Sequence, residues 1–157
     1  MPIGSRLADM STSEDPVRWL ASDDPHPARQ AQRNALARAC AGDKRGWLAL
    51  WAEDCEILDP VGPSIFDAEG RGHHGPTGIE HFWDVAIAPV ERFEVEIRSS
   101  YACGDSAAQE GTFRTWFADG SGAEIDLVTV YRVDEDGLIT SMRAYWELER
   151  VRTTTRV

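Results

Sequence analysis

Leu58-Asp59-Pro60-Val61-Gly62 puts a carboxylate at the end of a short apolar stretch, Cys55 to Leu58, just before a proline–glycine break. A carboxylate in that place can project into an apolar interior. Desolvation there disfavours its charged form, raises its pKa and makes it a usable general base. Near the C-terminus, Met142-Arg143-Ala144-Tyr145-Trp146 alternates large apolar side chains with others, and so supplies candidate walls for a small-molecule pocket. Proton transfer on an apolar compound is the chemistry these two segments suggest together. Asp-Pro is also a common turn initiator, and the residues alone leave that second use of Asp59 open.

Other chemistry is poorly supplied. Cys40, Cys55 and Cys103 are odd in number and widely spaced, with no C-x-x-C pair, so they read as free thiols in a reducing compartment. His73 and His74 lie in a glycine-rich stretch. Neighbours on an extended chain point to opposite sides, which argues against a shared metal. No metal and no cofactor are expected. The chain carries 27 Asp plus Glu against 16 Lys plus Arg, a net charge of −11, with Lys44 its one lysine. That balance disfavours nucleic acid and anionic membrane surfaces as partners. No apolar run approaches the ~20 residues that cross a bilayer, and Met1 to Met10 lacks the apolar core of a secretory signal. The expected location is the cytoplasm.

These residues need elements to hold them. The 157-residue chain is long enough for one domain with a real core. Residues 1–27 are polar and read as a flexible extension with one short helix at the apolar patch Val17 to Leu20. Pro25 and Pro27 then open a helix over Ala28 to Ala41, ended by Gly42-Asp43. A second helix, Lys44 to Ala52, gathers Trp47, Leu48, Leu50 and Trp51, and a strand follows at Cys55 to Asp59. Pro60 to Pro76 is a long loop, and Thr77 caps a third helix over Gly78 to Ala86. The rest is β: Phe93 to Tyr101, Ala107 to Phe117, Glu124 to Val133 and Leu138 to Leu148, with turns at Asp119-Gly120 and Asp136-Gly137. Residues 150–157 read as a frayed tail. Helices followed by an antiparallel meander make an α+β domain.

Trp51-Ala52-Glu53-Asp54, Leu58 to Gly62, His74-Gly75, Tyr131-Arg132-Val133-Asp134 and Ala144-Tyr145-Trp146, in this order and spacing, resemble the bacterial ketosteroid isomerases. These belong to the SnoaL-like and nuclear transport factor 2-like superfamily. The resemblance runs from about Ala28 to Leu148, so the domain is set at 28–149. It implies a cone: a curved antiparallel sheet wrapped around about three helices, with an internal apolar pocket. It also implies that Asp59 is the base that moves a proton between two carbons, as in that family.

The resemblance fails where the family holds its oxyanion. Alignment through the Asp59 motif puts Ala35 at the first-helix tyrosine. Alignment through Tyr131 to Trp146 puts Thr129 at the late-strand acid, while two supporting tyrosines fall on Trp51 and Trp83. Loss of one oxyanion donor typically costs ~100- to 1,000-fold in rate. Thr129 and the indoles of Trp51 and Trp83 are replacement donors, and Glu110 is another candidate. A two-residue Asp119-Gly120 turn sets Glu110 opposite Thr129, on one sheet face; a register one residue different turns it outward.

The leading expectation is therefore a steroid delta-isomerase-like enzyme acting on a flat apolar carbonyl compound, a steroid or a polyketide. Asp59, Thr129 and Glu110 are its candidate catalytic residues, and Trp51, Phe82, Trp83, Met142 and Trp146 line the substrate. The alternatives are a lipophilic-ligand-binding protein without chemistry and a SnoaL-like cyclase or epoxide hydrolase. In the expected register Phe113 and Phe117 face outward, which together with family habit suggests a homodimer.

Overall fold

A computed structural model describes residues 15–155. Eight strands form one curved, unclosed sheet, with three helices packed within its curvature, and the whole has the α+β cone architecture. The strands are β1 (Val17–Trp19), β2 (Trp51–Leu58), β3 (His73–His74), β4 (Val90–Cys103), β5 (Ser106–Phe117), β6 (Ser121–Val133), β7 (Ile139–Tyr145) and β8 (Arg152–Thr155). Their order is β1-β4-β5-β6-β7-β2-β3, with β8 on the part of β6 that β7 does not reach. The sheet is not wholly antiparallel: β1 runs parallel to β4, and β2 parallel to β7.

The curvature has a local source. Ile97 pairs with Gly111 and Ser99 with Glu110, so Arg98 is an extra residue in β4. Such a bulge bends and twists its strand. It also lets Ile97 and Ser100 both face inward although they are three positions apart, an odd offset that would put them on opposite faces of a regular strand. Gly111 is required here, since a Cβ would stand 2.2 Å from the Glu96 carbonyl oxygen.

Helix α1 (Pro27–Cys40) starts where His26 Nδ1 accepts the Ala28 N–H at 3.0 Å, and it packs against β4, β5 and β6. Its buried face carries three alanines, Ala28, Ala31 and Ala35. Two polar side chains stitch it down. Arg29 donates to Ser100 Oγ at 2.9 Å, and Gln32 Nε2 donates to the Ala107 carbonyl at 2.8 Å. Helix α2 (Lys44–Leu48) is capped by Asp43, which accepts the Gly46 N–H at 2.9 Å. It stops well short of Ala52. The Leu50 carbonyl accepts the Ile139 N–H at 2.8 Å, so the chain has already joined β7, and Trp51 opens a strand. Helix α3 (Gly75–Phe82) begins ahead of Thr77, with Pro76 in its first turn, and runs into a π-helical turn, Trp83–Ile87.

Three further expectations are corrected. The β5–β6 connection is a three-residue loop, Ala118-Asp119-Gly120, closed by the Gly120 N–H on the Phe117 carbonyl, with Gly120 at φ +85°. It shifts the register by one, so that Gln109 faces Thr129 and Glu110 faces Val128. Residues 17–19 form a strand, not a helix in a flexible extension; residues 1–14 lie outside the described residues. The tail is not frayed over Arg152–Thr155, which pairs with Ser121–Glu124.

Candidate functional site

The register arranges the interior in rows across the strands. One row runs Ala107, Tyr131, Met142, Ile57 and His73. The next runs Gln109, Thr129 and Ala144. Asp59 continues this row, because Leu58 pairs with Arg143 and the Val61 N–H returns to the Ala144 carbonyl at 2.9 Å. Strands are spaced about 4.8 Å apart, so Asp59 and Thr129 sit about 10 Å apart at the backbone, with the small Ala144 between them.

Asp59 keeps some accessible surface but is densely surrounded by protein. Burial pushes its carboxyl up to about 6, opposed by the Trp146 indole N–H, which donates to it at 2.6 Å. Burial, and then the Asp59 charge, raise the Tyr131 phenol well above its ordinary range, so it stays a neutral donor.

Aromatic rings connect this carboxylate to the helices. Phe66, from the loop between β2 and β3, lies 6.4 Å from Trp146 and 6.3 Å from Phe82. Trp47 lies 5.2 Å from Trp51 and 5.3 Å from Trp83, within the buried core. The loop that carries Phe66 is organised by Asp67, whose carboxylate accepts the N–H groups of Gly70 at 3.1 Å and Gly72 at 2.6 Å.

The residues expected to line a ligand are together in the interior: Trp51, Phe82, Trp83 and Met142 are buried, and Trp146 is packed against them. Thr129 is inside as well, with its hydroxyl unpaired. Glu110 is not. It lies on the outer face, where Arg98 Nη2 donates to it at 2.7 Å, because the three-residue loop moved the register. Phe113 exchanges faces with it and packs against the core, so it does not form an apolar outer surface.

Reading the sequence missed Gln109, Tyr131 and His73. Gln109 occupies the place expected for Glu110, and both polar atoms of its amide lack a partner. Tyr131 stood out only as part of a resemblance. His73 points inward and His74 outward, as adjacent residues of a strand must. The His73 ring is held neutral chiefly by burial, 5.3 Å from Phe82, and its Nε2 has no partner. Among the described residues, no group of three or more His, Cys, Asp or Glu is placed to hold a metal ion.

Comparison with known proteins names the class. The family model for the SnoaL-like domain matches residues 31–142, and the chain belongs to that family, within the nuclear transport factor 2-like superfamily. Among solved structures it is similar to RV0760c from Mycobacterium tuberculosis in complex with estradiol-17beta-hemisuccinate. The two are 34% identical over 82% of this chain and 99% of that one, with a TM-score of 0.76. It is also similar to Delta 5-3-ketosteroid isomerase from Mycobacterium sp., 32% identical over 83% of this chain and 100% of that one, at a TM-score of 0.78. The epoxide hydrolase/cyclase-like enzyme SalBIII shares the fold at 17% identity and a TM-score of 0.70, with 85% of this chain and 100% of that one covered. A comparison with curated proteins found no match.

Proposed function

We propose that this protein moves a proton on a flat apolar carbonyl compound, with Asp59 as the base. One observation carries the reading: a carboxylate at the inner end of β2, lifted to about 6 by burial and held by one indole N–H. A base poised near working pH maximises both its ionised fraction and its pull on a carbon-bound proton. Asp59 takes the proton from the carbon next to the carbonyl, and the C–H electron pair flows into the carbonyl to give an enolate. Asp59 then returns the proton to the carbon at the far end of the conjugated system. Thr129 and the Trp51 indole, both unpaired in the interior, are the donors on the oxygen side. The steroid complex and the isomerase among the similar structures support a steroid as the substrate class, with a polyketide-like compound of like shape as the alternative.

The test uses a β,γ-unsaturated steroid ketone. Turnover is expected to rise with pH through about 6, and Asp59→Asn to lose at least ~100-fold of it while still binding the ligand. Unchanged turnover in Asp59→Asn removes Asp59 from the mechanism. A second reading, a ligand carrier without chemistry, is favoured by Ala35 and Thr129 standing where the related isomerases are expected to keep their oxyanion donors. In that case the ketone raises the melting temperature and is never converted.

The same proposal includes a homodimer across the outer sheet face, supported by the exposed Val128 and Tyr145, and it predicts twice the chain mass in solution. It also includes a cytoplasmic location, supported by three free thiols. No helix among the described residues is long and apolar enough to cross a membrane.

A further inference from the structure

We propose that Gln109 and Thr129 form a two-sided polar anchor for the ligand. The anchor takes a group with a hydrogen-bond acceptor and a hydrogen-bond donor side by side, as in a carboxamide, a hydroxy-enone or an enolised 1,3-dicarbonyl. This rests on the interior being the ligand site, as read above, but not on the chemistry of Asp59.

Gln109 is 3% exposed and Thr129 4%, and they face each other across the β5–β6 ladder. The Gln109 amide nitrogen, its amide oxygen and the Thr129 hydroxyl are all shielded from solvent without a partner. Buried polar groups are nearly always paired, and one left unpaired carries its desolvation cost with nothing to offset it. The fold therefore has no use of its own for an amide at this place. Gln32 provides the contrast. It is buried as deeply and its Oε1 also lacks a partner, but its Nε2 bonds the Ala107 carbonyl and ties α1 to β5. Gln109, two residues along the same face, ties nothing.

The neighbouring side chains are small. Thr129 is flanked on β7 by Ala144, and α1 crosses this part of the sheet with Ala31 and Ala35 on its buried face. Asp59 lies in the same row beyond Ala144, so a ligand spanning the row places its polar end on the anchor and its ring system toward Asp59 and Trp146.

The donor and acceptor inventory decides the class. The amide offers two donors and one acceptor, and the hydroxyl offers one more donor. A lone ketone oxygen engages donors only and leaves the amide oxygen stranded. A group that both accepts and donates satisfies the amide from both ends, whichever way the amide is turned.

The test compares naphthalene-2-carboxamide with 2-acetylnaphthalene by calorimetry. The two differ only in NH2 against CH3 on the same flat ring. The parent protein, Gln109→Met, Gln109→Asn, Thr129→Val and Asp59→Asn are measured. In Gln109→Met the preference for the amide over the ketone is expected to fall about tenfold, the size of the lost donor–acceptor pair. Thr129→Val weakens both probes alike. If Gln109→Met does not fold, as judged by circular dichroism, Gln109→Asn takes its place, because it withdraws the amide by one methylene and loses the same preference. An amide-to-ketone ratio unchanged by either Gln109 variant overturns the proposal, as does failure of both probes to bind the parent. Asp59→Asn keeps the parent ratio whatever its turnover, so loss of the proton-transfer reading and loss of the anchor are seen separately.

Discussion

Asp59 is an ionisable group the fold keeps at a disadvantage. Its folded-state pKa of about 6 exceeds the ordinary unfolded value near ~3.9. The folded protein therefore binds the proton more tightly, and the ionised carboxylate costs stability at higher pH: up to about 3 kcal/mol, present above pH ~6 and gone below pH ~4. Asp59→Asn keeps an oxygen for the Trp146 N–H and removes the charge. It is expected to unfold at higher denaturant concentration than the parent at pH 8, with no advantage at pH 4. A constant gap at the two pH values would place its effect elsewhere. Trp146→Phe keeps a ring and deletes the donor. A hydrogen bond to a charged group is worth about 1.5–3 kcal/mol, so the midpoint of the pH–rate profile should move up by about 1 unit or more. If the midpoint stays put, the indole does not tune the base. Asp59 was legible because a carboxylate at the end of an apolar strand has few places to go. Gln109 was not, because a glutamine next to a glutamate carries no signal until one of the two faces inward.

At the level of elements, legibility depended on how many pairings a segment allowed. The alternation of Val95 and Ile97 with Glu94 and Glu96 admits only a strand with one wet face, and β4 is that strand. Ala118-Asp119-Gly120 suits a two- or a three-residue loop, and that single residue exchanged Glu110 for Gln109 in the interior. Helix α2 was overextended because Trp47, Leu48, Leu50 and Trp51 serve a helix face and a buried strand start equally well. Strand β8 looks like a tail, being Thr-rich and polar. It is held by what lies beside it: Arg152 donates to Glu124 at 2.8 Å and to Asp126 at 3.0 Å. Asp126 is held down to about 2 by Arg152 and by the Thr112 hydroxyl. The tightest constraint among these elements is Gly111 beside the Arg98 bulge. Gly111→Ala must part β4 from β5 and is expected to cost about 1–3 kcal/mol in denaturant unfolding. A cost near zero would mean that the bulge yields freely.

Taken whole, the molecule separates its polar and apolar chemistry by face. The outer surface carries a ladder of opposite charges from Arg18 through Glu96, Arg98 and Glu110, and another from Arg114 through Glu124 and Arg152 to Asp126. Such exposed pairs add little stability singly and weaken with salt. The inner surface carries the ring cluster of Trp47, Trp51, Phe82 and Trp83 and the unpaired polar atoms of Gln109, Thr129 and His73. The sheet does not close on itself, and Phe66 stands between Trp146 and Phe82, anchored through the Asp67 loop rather than through a strand. A ring held by a loop can leave its place without breaking the sheet. We expect Phe66 to gate passage between the interior and solvent, so that its displacement sets the rates of entry and escape together. In stopped-flow measurements Phe66→Ala is expected to speed capture and escape together, by about tenfold each, with the equilibrium constant nearly unchanged. A change confined to escape would make Phe66 part of the grip instead of the gate.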